Sequence, residues 1–552
     1  MPMQKFFAVA ALHFAVLIMS ACKHDASPPV SVGAPNINLK GLTLDGKPMN
    51  TIYTNTTISP QIIFSFSEPI DHSSAQNAIT IAGASGGVPL TFSFSHQDSV
   101  VMAVPTSGLN YLSTYSLQVL PTLTSTTKKQ LTSTTEIKIT TQVDAAPKFP
   151  IISDSALLDL VQQQTLKYFF DFGHPVSGMA RERDTSGDVV TTGGSGFGLM
   201  ALVVGANRGF LPRADAVTRF SKIISFLETA DRFHGAWPHW INGSNGKVVP
   251  FSANDNGADL VETAYLVQGL LTVRQYLKSA DTVGNNLINR INKLWNAVEW
   301  DWFRQNNQNV LYWHWSPDKT WIMNFPIRGY NETLIVYLLA AASPTHTIPS
   351  IVYQQGWANN GAIKNGKTFY GHVLPLGGDY GGPLFFTQYS FLGFNPHVQD
   401  SYLSVDYWTQ NVNQSLINHD YCAANPRTFV GYSDSCWGLT ASDIQSGYGA
   451  QSPTNDNGTI SPTAAISSMP YTPTESMKAI KYFYYTLGDR MWGPYGFYDA
   501  FNITNAWTAT STLAIDQGPM IVMIENYRTQ LLWKLFMSSP EMQTAKTKLG
   551  FN

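Results

Sequence analysis

Between residues 36 and 145 apolar and polar positions alternate with a period of two. The alternation runs through Ile63-Phe64-Ser65-Phe66-Ser67, Leu90-Thr91-Phe92-Ser93-Phe94-Ser95, Tyr115-Ser116-Leu117-Gln118-Val119 and Ile137-Lys138-Ile139-Thr140. Thr, Ser, Gly and Pro punctuate these runs. Such segments at regular spacing predict an antiparallel β-sandwich. Residues 145–150, Ala-Ala-Pro-Lys-Phe-Pro, read as a linker. From Ser153 the period becomes helical. Asp154 is placed to cap a helix running through Leu157, Leu158, Val161, Leu166 and Phe169. Further helices are expected near 196–208, 214–230, 257–279, 284–298, 331–342, 400–411, 474–487 and 517–537. Long loops rich in Gly, Trp, Tyr and Asn separate them. Many helices joined by polar aromatic loops predict a mainly α domain over 151–552. The expected architecture is an α/α toroid such as an (α/α)6 barrel, whose inner helices and loops line one concave face. A helical scaffold that only binds is the competing architecture.

The N-terminus changes the picture at residues 1–22. Lys5 is followed by an apolar run from Phe6 to Met19, then Ser20-Ala21-Cys22. The run is too short to span a bilayer and has the form of a signal peptide. Small residues before Cys22 resemble a bacterial lipoprotein cleavage site. The expectation is an exported chain lipidated at Cys22 and held to a membrane, with residues 23–35 as a tether. A plain secreted protein cut nearby is the alternative. Of 3 cysteines, Cys422 and Cys436 then remain as an even pair. Export permits a disulfide between them, contributing about 3 kcal/mol in the chain-entropy model. Two free buried thiols are the other reading. No CxxC or HExxH pattern occurs, so neither a dedicated zinc site nor a cofactor is expected.

Composition narrows the function. With 552 residues the chain exceeds one compact domain, and a hydrophobic share of 44% supplies a large core. Charged residues make up only 13% and aromatics 12%. Low charge with many rings suits a neutral ligand such as a sugar, whose C–H faces stack on aromatic planes, although most rings must serve the core. Net charge is -3 with no basic run, which argues against nucleic acid. It also leaves no basic cleft for uronic acids, and so argues against a polysaccharide lyase. A monomer is expected.

The strongest chemical signal is Phe251-Ser252-Ala253-Asn254-Asp255-Asn256-Gly257-Ala258-Asp259-Leu260-Val261-Glu262-Thr263-Ala264. Read as helix, it puts Asp255, Asp259 and Glu262 on one face at i,i+4 and i,i+3 spacing. Stacked like charges destabilise an ordinary helix, so their presence points to a site with perturbed carboxyls. Helix capping by Asp255 with a solvated first turn is the plain alternative. Upstream, Asp231-Arg232-Phe233-His234-Gly235-Ala236-Trp237-Pro238-His239-Trp240 makes Trp237, His239 and Trp240 candidates for a sugar platform. Glu332, in Arg328-Gly329-Tyr330-Asn331-Glu332-Thr333-Leu334, opens another helix and is the natural partner carboxylate. Two carboxyls flanking a bond are the apparatus of glycoside hydrolysis. Tyr330, Tyr380 on a glycine-rich lip, Trp437 and Arg183 join the sugar-contacting candidates. Asp400 and Asp406 are weaker, near His397 and Trp408. Asp516 is expected to cap the last long helix. The Gly193–Gly198 run reads as close packing at a helix start, not a phosphate loop.

Several motifs in order resemble glycoside hydrolase family 144. They are Asn254–Thr263, Gly329-Tyr330-Asn331-Glu332, Cys436-Trp437-Gly438-Leu439-Thr440-Ala441-Ser442-Asp443, Ile515-Asp516-Gln517-Gly518-Pro519 and Ile524-Glu525-Asn526-Tyr527-Arg528. The resemblance covers about residues 153 to 550. It implies an (α/α)6 barrel and metal-free endo-β-1,2-glucanase action with inversion, giving short sophorooligosaccharides. The matching functional positions are Asp255, Asp259, Glu262 and Glu332. On this reading Asp259 is the general acid and Glu332 the opposing carboxylate. Asp255 and Glu262 tune Asp259 and grip sugar hydroxyls. The alternatives are an exo-hydrolase of sophorooligosaccharides, a transglycosylase, or a non-catalytic glycan-binding lipoprotein. A pure binder of neutral sugar has little use for desolvated acids. At the other end of the chain, Phe64-Ser65-Phe66-Ser67-Glu68-Pro69-Ile70-Asp71 and Leu112-Ser113-Thr114-Tyr115 resemble bacterial Ig-like domains that precede secreted catalytic domains.

Overall fold

The computed structural model describes residues 36–277 and 282–552. Cys22, the signal peptide and the tether lie outside the described residues. The N-terminal unit is two five-stranded sheets. One runs Lys47–Pro48, Leu39–Leu44, Ile62–Phe66, Val100–Pro105, Leu90–Ser95. The other runs Ile52–Thr56, Thr135–Thr141, Thr114–Val119, Ile79–Gly83, Gly86–Val88. The period-two pattern explains the layering. Ile62, Phe64 and Phe66 point inward, where they meet Leu117 and Ile137 of the facing sheet in one core. One pairing departs from the antiparallel expectation: Thr135–Thr141 runs parallel to Ile52–Thr56. The intervening chain builds the rest of the sandwich, which gives the long crossover that parallel pairing requires.

The linker is docked onto the helical domain. Lys148 N donates to Tyr485 O at 2.7 Å, and the Phe149 ring stacks on Tyr484 at 4.5 Å. From the sandwich, Leu112 enters a core cluster of the helical domain, and Arg490 Nη2 donates to Tyr111 O at 3.2 Å.

The helical domain has helices of two kinds. Thr192–Asn207, Leu260–Tyr276, Leu334–Ala342 and Ala514–Thr529 are buried almost all round. Helices apolar on all sides belong inside. Asp154–Phe170, Arg213–Leu227, Thr282–Asn296, Pro473–Lys481 and Pro540–Leu549 bury one stripe each and form the outside. Among the described residues no helix is long and apolar enough to cross a membrane.

Thr192–Asn207 and Leu260–Tyr276 pack backbone to backbone through glycine. A Cβ on Gly196 would lie 2.2 Å from Tyr265 O, and one on Gly269 would lie 2.2 Å from Gly196 O. The glycine run is therefore a packing device, as expected.

Three sequence expectations need correction. The helix expected at 400–411 is Tyr407–Ala424. Its buried face is polar, so no apolar period marked it. Gln410 accepts from Leu376 N at 2.8 Å and Asn418 from Leu439 N at 3.0 Å, fixing loop backbone. The segment 517–537 is two helices, Ala514–Thr529 and Leu531–Met537, parted by Gln530 at φ 61. Cys422 and Cys436 are free thiols rather than a disulfide, both buried. Apolar burial pushes both thiols up, so little thiolate is available for exchange.

Gly196→Ala should lower stability by about 3 kcal/mol or more, because the clash is with backbone that cannot rotate away. Thermal unfolding of the variant checks this. A midpoint within a degree or two of the parent would show that the helices can separate freely.

Candidate active site

Leu260–Tyr276 begins at Asp259, not at Asp255. Asp259 is the N-cap, its Oδ1 accepting from Val261 N at 3.0 Å and Glu262 N at 2.9 Å. Asp255 sits earlier, in a turn closed by Ser252. The three acids thus do not share a helix face, yet the fold still gathers them. A short pairing sets Asp259 opposite His314. Nδ1 of His314 lies 3.4 Å from Asp255 Oδ2 and 3.8 Å from Asp259 Oδ2. His239 Nδ1 lies 3.0 Å from Asp259 Oδ2, and its Nε2 lies 4.0 Å from Glu262 Oε1.

These contacts set the charges. Burial opposes a cationic His239, but Glu262 and the hydrogen-bonded Asp259 outweigh it and hold its pKa up to about 9. Burial likewise opposes an ionised Asp259. The hydrogen bond from His239, the His314 and His239 charges and the helix N–H groups still keep it below the usual range. Glu262 moves the other way. Burial raises it and Asp259 adds to the rise, although His239, Gly193 N and Thr191 pull against it. Gly193 N reaches Glu262 Oε2 at 2.7 Å because residue 193 has no side chain. A Cβ there would lie 2.6 Å from that same oxygen.

Glu332 stands just before the Leu334–Ala342 helix. Asn331 Oδ1 accepts from Thr333 N at 3.0 Å, and the Glu332 carbonyl accepts the Ser390 hydroxyl. Burial, with Glu262 and Asp259 nearby, pushes its carboxyl up to about 7.

Glu262 and Glu332 open on one cleft of about 470 Å³. Trp240, Phe251, Tyr265, Trp313, Tyr389 and Tyr448 line it, with His239 and Arg183. Trp240 and Phe251 sit 4.7 Å apart, centroid to centroid. Rings around a few convergent polar groups suit a sugar chain. Asp259 is fully buried behind the wall, engaged by its helix and by His239. His239, Asp255 and Asp259 each offer an atom within 4.8 Å of one another, the spacing of a cation site.

The glycoamylase family model matches residues 324–540. An endo-β-1,2-glucanase structure from Chitinophaga pinensis, with sophorotriose and glucose, is 53% identical. It covers 73% of this chain and 99% of its own, with a TM-score of 0.71. The chain belongs to glycoside hydrolase family 144. A β-1,2-glucanase structure from Parabacteroides distasonis is 36% identical, with a TM-score of 0.70. It covers 94% of this chain and 74% of its own. An exo β-1,2-glucooligosaccharide sophorohydrolase (non-reducing end) from the same organism is 45% identical over 74% of this chain. The present chain spans 59% of that relative's length.

Within this family member the expected sugar contacts divide. Arg183, His239 and Trp240 line the cleft. Trp237 and Trp437 do not: both are fully buried, donating to Leu227 O at 3.3 Å and Glu475 O at 3.2 Å. Tyr330 donates to Gln414 at 2.7 Å beneath Trp357. Tyr380 packs on Phe369 at 4.4 Å, outside the cleft lining. Asp406 caps Tyr407–Ala424, and Asp400 accepts from the Tyr402 and Leu403 amides. Sequence reasoning missed Tyr265, Trp313, His314, Tyr389 and Tyr448. Only the Trp313-His314-Trp315 cluster carried a signal, a histidine between two indoles.

The raised pKa of His239 makes a stability contribution present in full below its ordinary value of 6.5 and lost as pH rises through about 9. The thermal midpoint should therefore fall between those values, and His239→Gln should flatten that decline. An unchanged slope in the variant would mean that His239 is not the group responsible.

Proposed function

We propose that the chain is an exported endo-acting glycoside hydrolase that cleaves β-1,2-glucan to short sophorooligosaccharides with inversion. The observation that carries this is Glu332. Its carboxyl is poised near neutrality on an aromatic-lined cleft beside Glu262, in a chain 53% identical to an endo-β-1,2-glucanase. We further propose that the two kinds of helix close into an (α/α)6 barrel. A lipidated Cys22 would hold a monomeric enzyme at a membrane.

The general acid is Glu332 rather than Asp259. A proton donor must hold a proton at working pH and reach the leaving oxygen. Glu332 meets both demands. Asp259 meets neither, being ionised, capped and behind the wall. Asp259 instead holds His239, whose charge together with the Gly193 amide positions Glu262 to accept sugar hydroxyls. Glu262 and Asp259 lie close enough to raise the Glu332 carboxyl further, which favours its protonated form. Asp255 steadies His314 in the same web.

The 45% identity to an exo sophorohydrolase favours a second reading, release of sophorose from one chain end. Chromatography of early products from linear β-1,2-glucan separates the two. A ladder of short oligosaccharides is expected; sophorose alone would establish the exo reading. No turnover of glucan or of sophorooligosaccharides would remove the reaction altogether. Glu332→Gln should lower kcat by about 10²- to 10⁴-fold with little change in oligosaccharide binding. The alkaline limb of the parent's kcat profile should fall near pH 7, the Glu332 value.

A further inference from the structure

Two features lie outside the chemistry just described. One is a pair of acids, Asp499 and Asp516, 3% and 2% exposed. The expectation that Asp516 caps Ala514–Thr529 fails: it lies in the first turn, and that helix has no side-chain cap bond. Buried this deeply, the pair serves the interior. The other feature faces solvent. Trp302, Ile322, Met323 and Phe325 are 41%, 54%, 37% and 51% exposed. Large apolar side chains gathered on a surface mark a place where something else binds.

One hairpin and a neighbouring turn present these residues. Tyr312 pairs with Pro326, Trp313 N donates to Phe325 O at 3.0 Å, and Ile327 N donates to Leu311 O at 2.7 Å. The pairing sets Trp313, which lines the cleft, beside Phe325, which does not, with ring centroids 5.5 Å apart. The same arm carries Met323 and Ile322 on to Trp321, whose ring lies 6.2 Å from that of Trp302. His234 covers one face of Trp302 at 3.9 Å and is itself held by Glu299 at 2.8 Å. The strip thus starts at the cleft wall and leads outward. It is also braced. At the hairpin tip Ser316 N and Thr320 N donate to each other's carbonyls at 2.9 and 2.8 Å. Asn256 Nδ2 donates to Asp318 Oδ1 at 3.0 Å, and Lys319 donates to Ala253 O, tying the tip to the loop that carries Phe251. Apolar groups already held in place lose little freedom when a ligand settles on them.

A cleft of about 470 Å³ holds a short oligosaccharide. A chain cut at an internal bond has to leave it over a rim. Resting on the endo-hydrolase reading above, we propose that the strip from Phe325 through Met323 and Ile322 to Trp302 is a platform for the part of a β-1,2-glucan chain that lies outside the cleft. The C–H faces of successive glucose rings lie on the apolar strip while their hydroxyls stay in water. The platform adds affinity for polymer and takes no part in bond breaking, so it sets the preference for long chains over short ones. Its continuity with the cleft wall at Trp313 favours glucan over a second copy of this chain as the occupant.

The test compares the full chain with Trp302→Ala, Phe325→Ala and the double variant. The substrates are linear β-1,2-glucan and the shortest sophorooligosaccharide that the parent cleaves. Each single variant should raise KM for glucan by about three- to tenfold, with kcat near the parent's. For the shortest substrate kcat/KM should stay within about twofold, a split that a general disturbance of the fold would not give. Trp302→Tyr should keep most of the affinity for glucan. A double variant with the parent's KM for glucan would overturn the proposal, and so would equal losses on both substrates. A parent dimer in light scattering that the double variant turns into a monomer would also overturn it, assigning the strip to a second copy. If the alanine variants fail to fold, hydroxyl-radical footprinting of Glu332→Gln decides. Glucan, but not the shortest substrate, should protect Trp302, Met323 and Phe325; unchanged labelling overturns the platform. An inert parent would overturn the reaction and the platform together. An active parent whose double variant is unaffected defeats the platform alone.

Discussion

The site depends on the contact between Thr192–Asn207 and Leu260–Tyr276. Glycine at 196 and 269 lets the two backbones touch. That approach brings the Gly193 amide onto Glu262 and the Tyr265 ring into the cleft wall. A side chain at any of these glycines would part the helices and move a carboxylate whose placement must hold to a fraction of an ångström. Packing density and chemistry are here one requirement.

A second constraint is electrostatic. Asp255, Asp259, Glu262 and Glu332 cannot all carry charge in a buried wall without compensation. The protein divides them. Asp259 keeps its charge through helix amides and His239, whereas Glu332, with no ion-pair partner among the described residues, is driven toward its neutral form by burial. Environment alone gives identical functional groups different tasks. The acids around Asp499 and Asp516 repeat the principle without a histidine. There burial and the mutual charge of the pair push both carboxyls up.

The sandwich was legible because one face of each strand is buried, so its alternation survives in the sequence. The inner helices were legible as apolar runs, and Glu262 and Glu332 as acids at the mouths of such runs. Tyr407–Ala424 was hidden because its buried side is Gln and Asn serving loop carbonyls and amides. Asp255 was placed on the helix face because helical spacing was extended one turn past the true start, which Asp259 caps. A capping role and a catalytic role look alike until the first amide donor is located. Trp237 and Trp437 failed as sugar platforms because an indole in a Gly-rich loop carries no mark of which face is covered. Asp499 lies among Phe and Tyr in a segment with no motif, and only the fold brings it to Asp516.

The docked linker has a mechanical consequence. Phe149 on Tyr484, Lys148 on Tyr485 and Leu112 inside the helical core weld sandwich and helical domain together. The two units turn as one body, so the cleft keeps a constant heading relative to the first strand at Leu39.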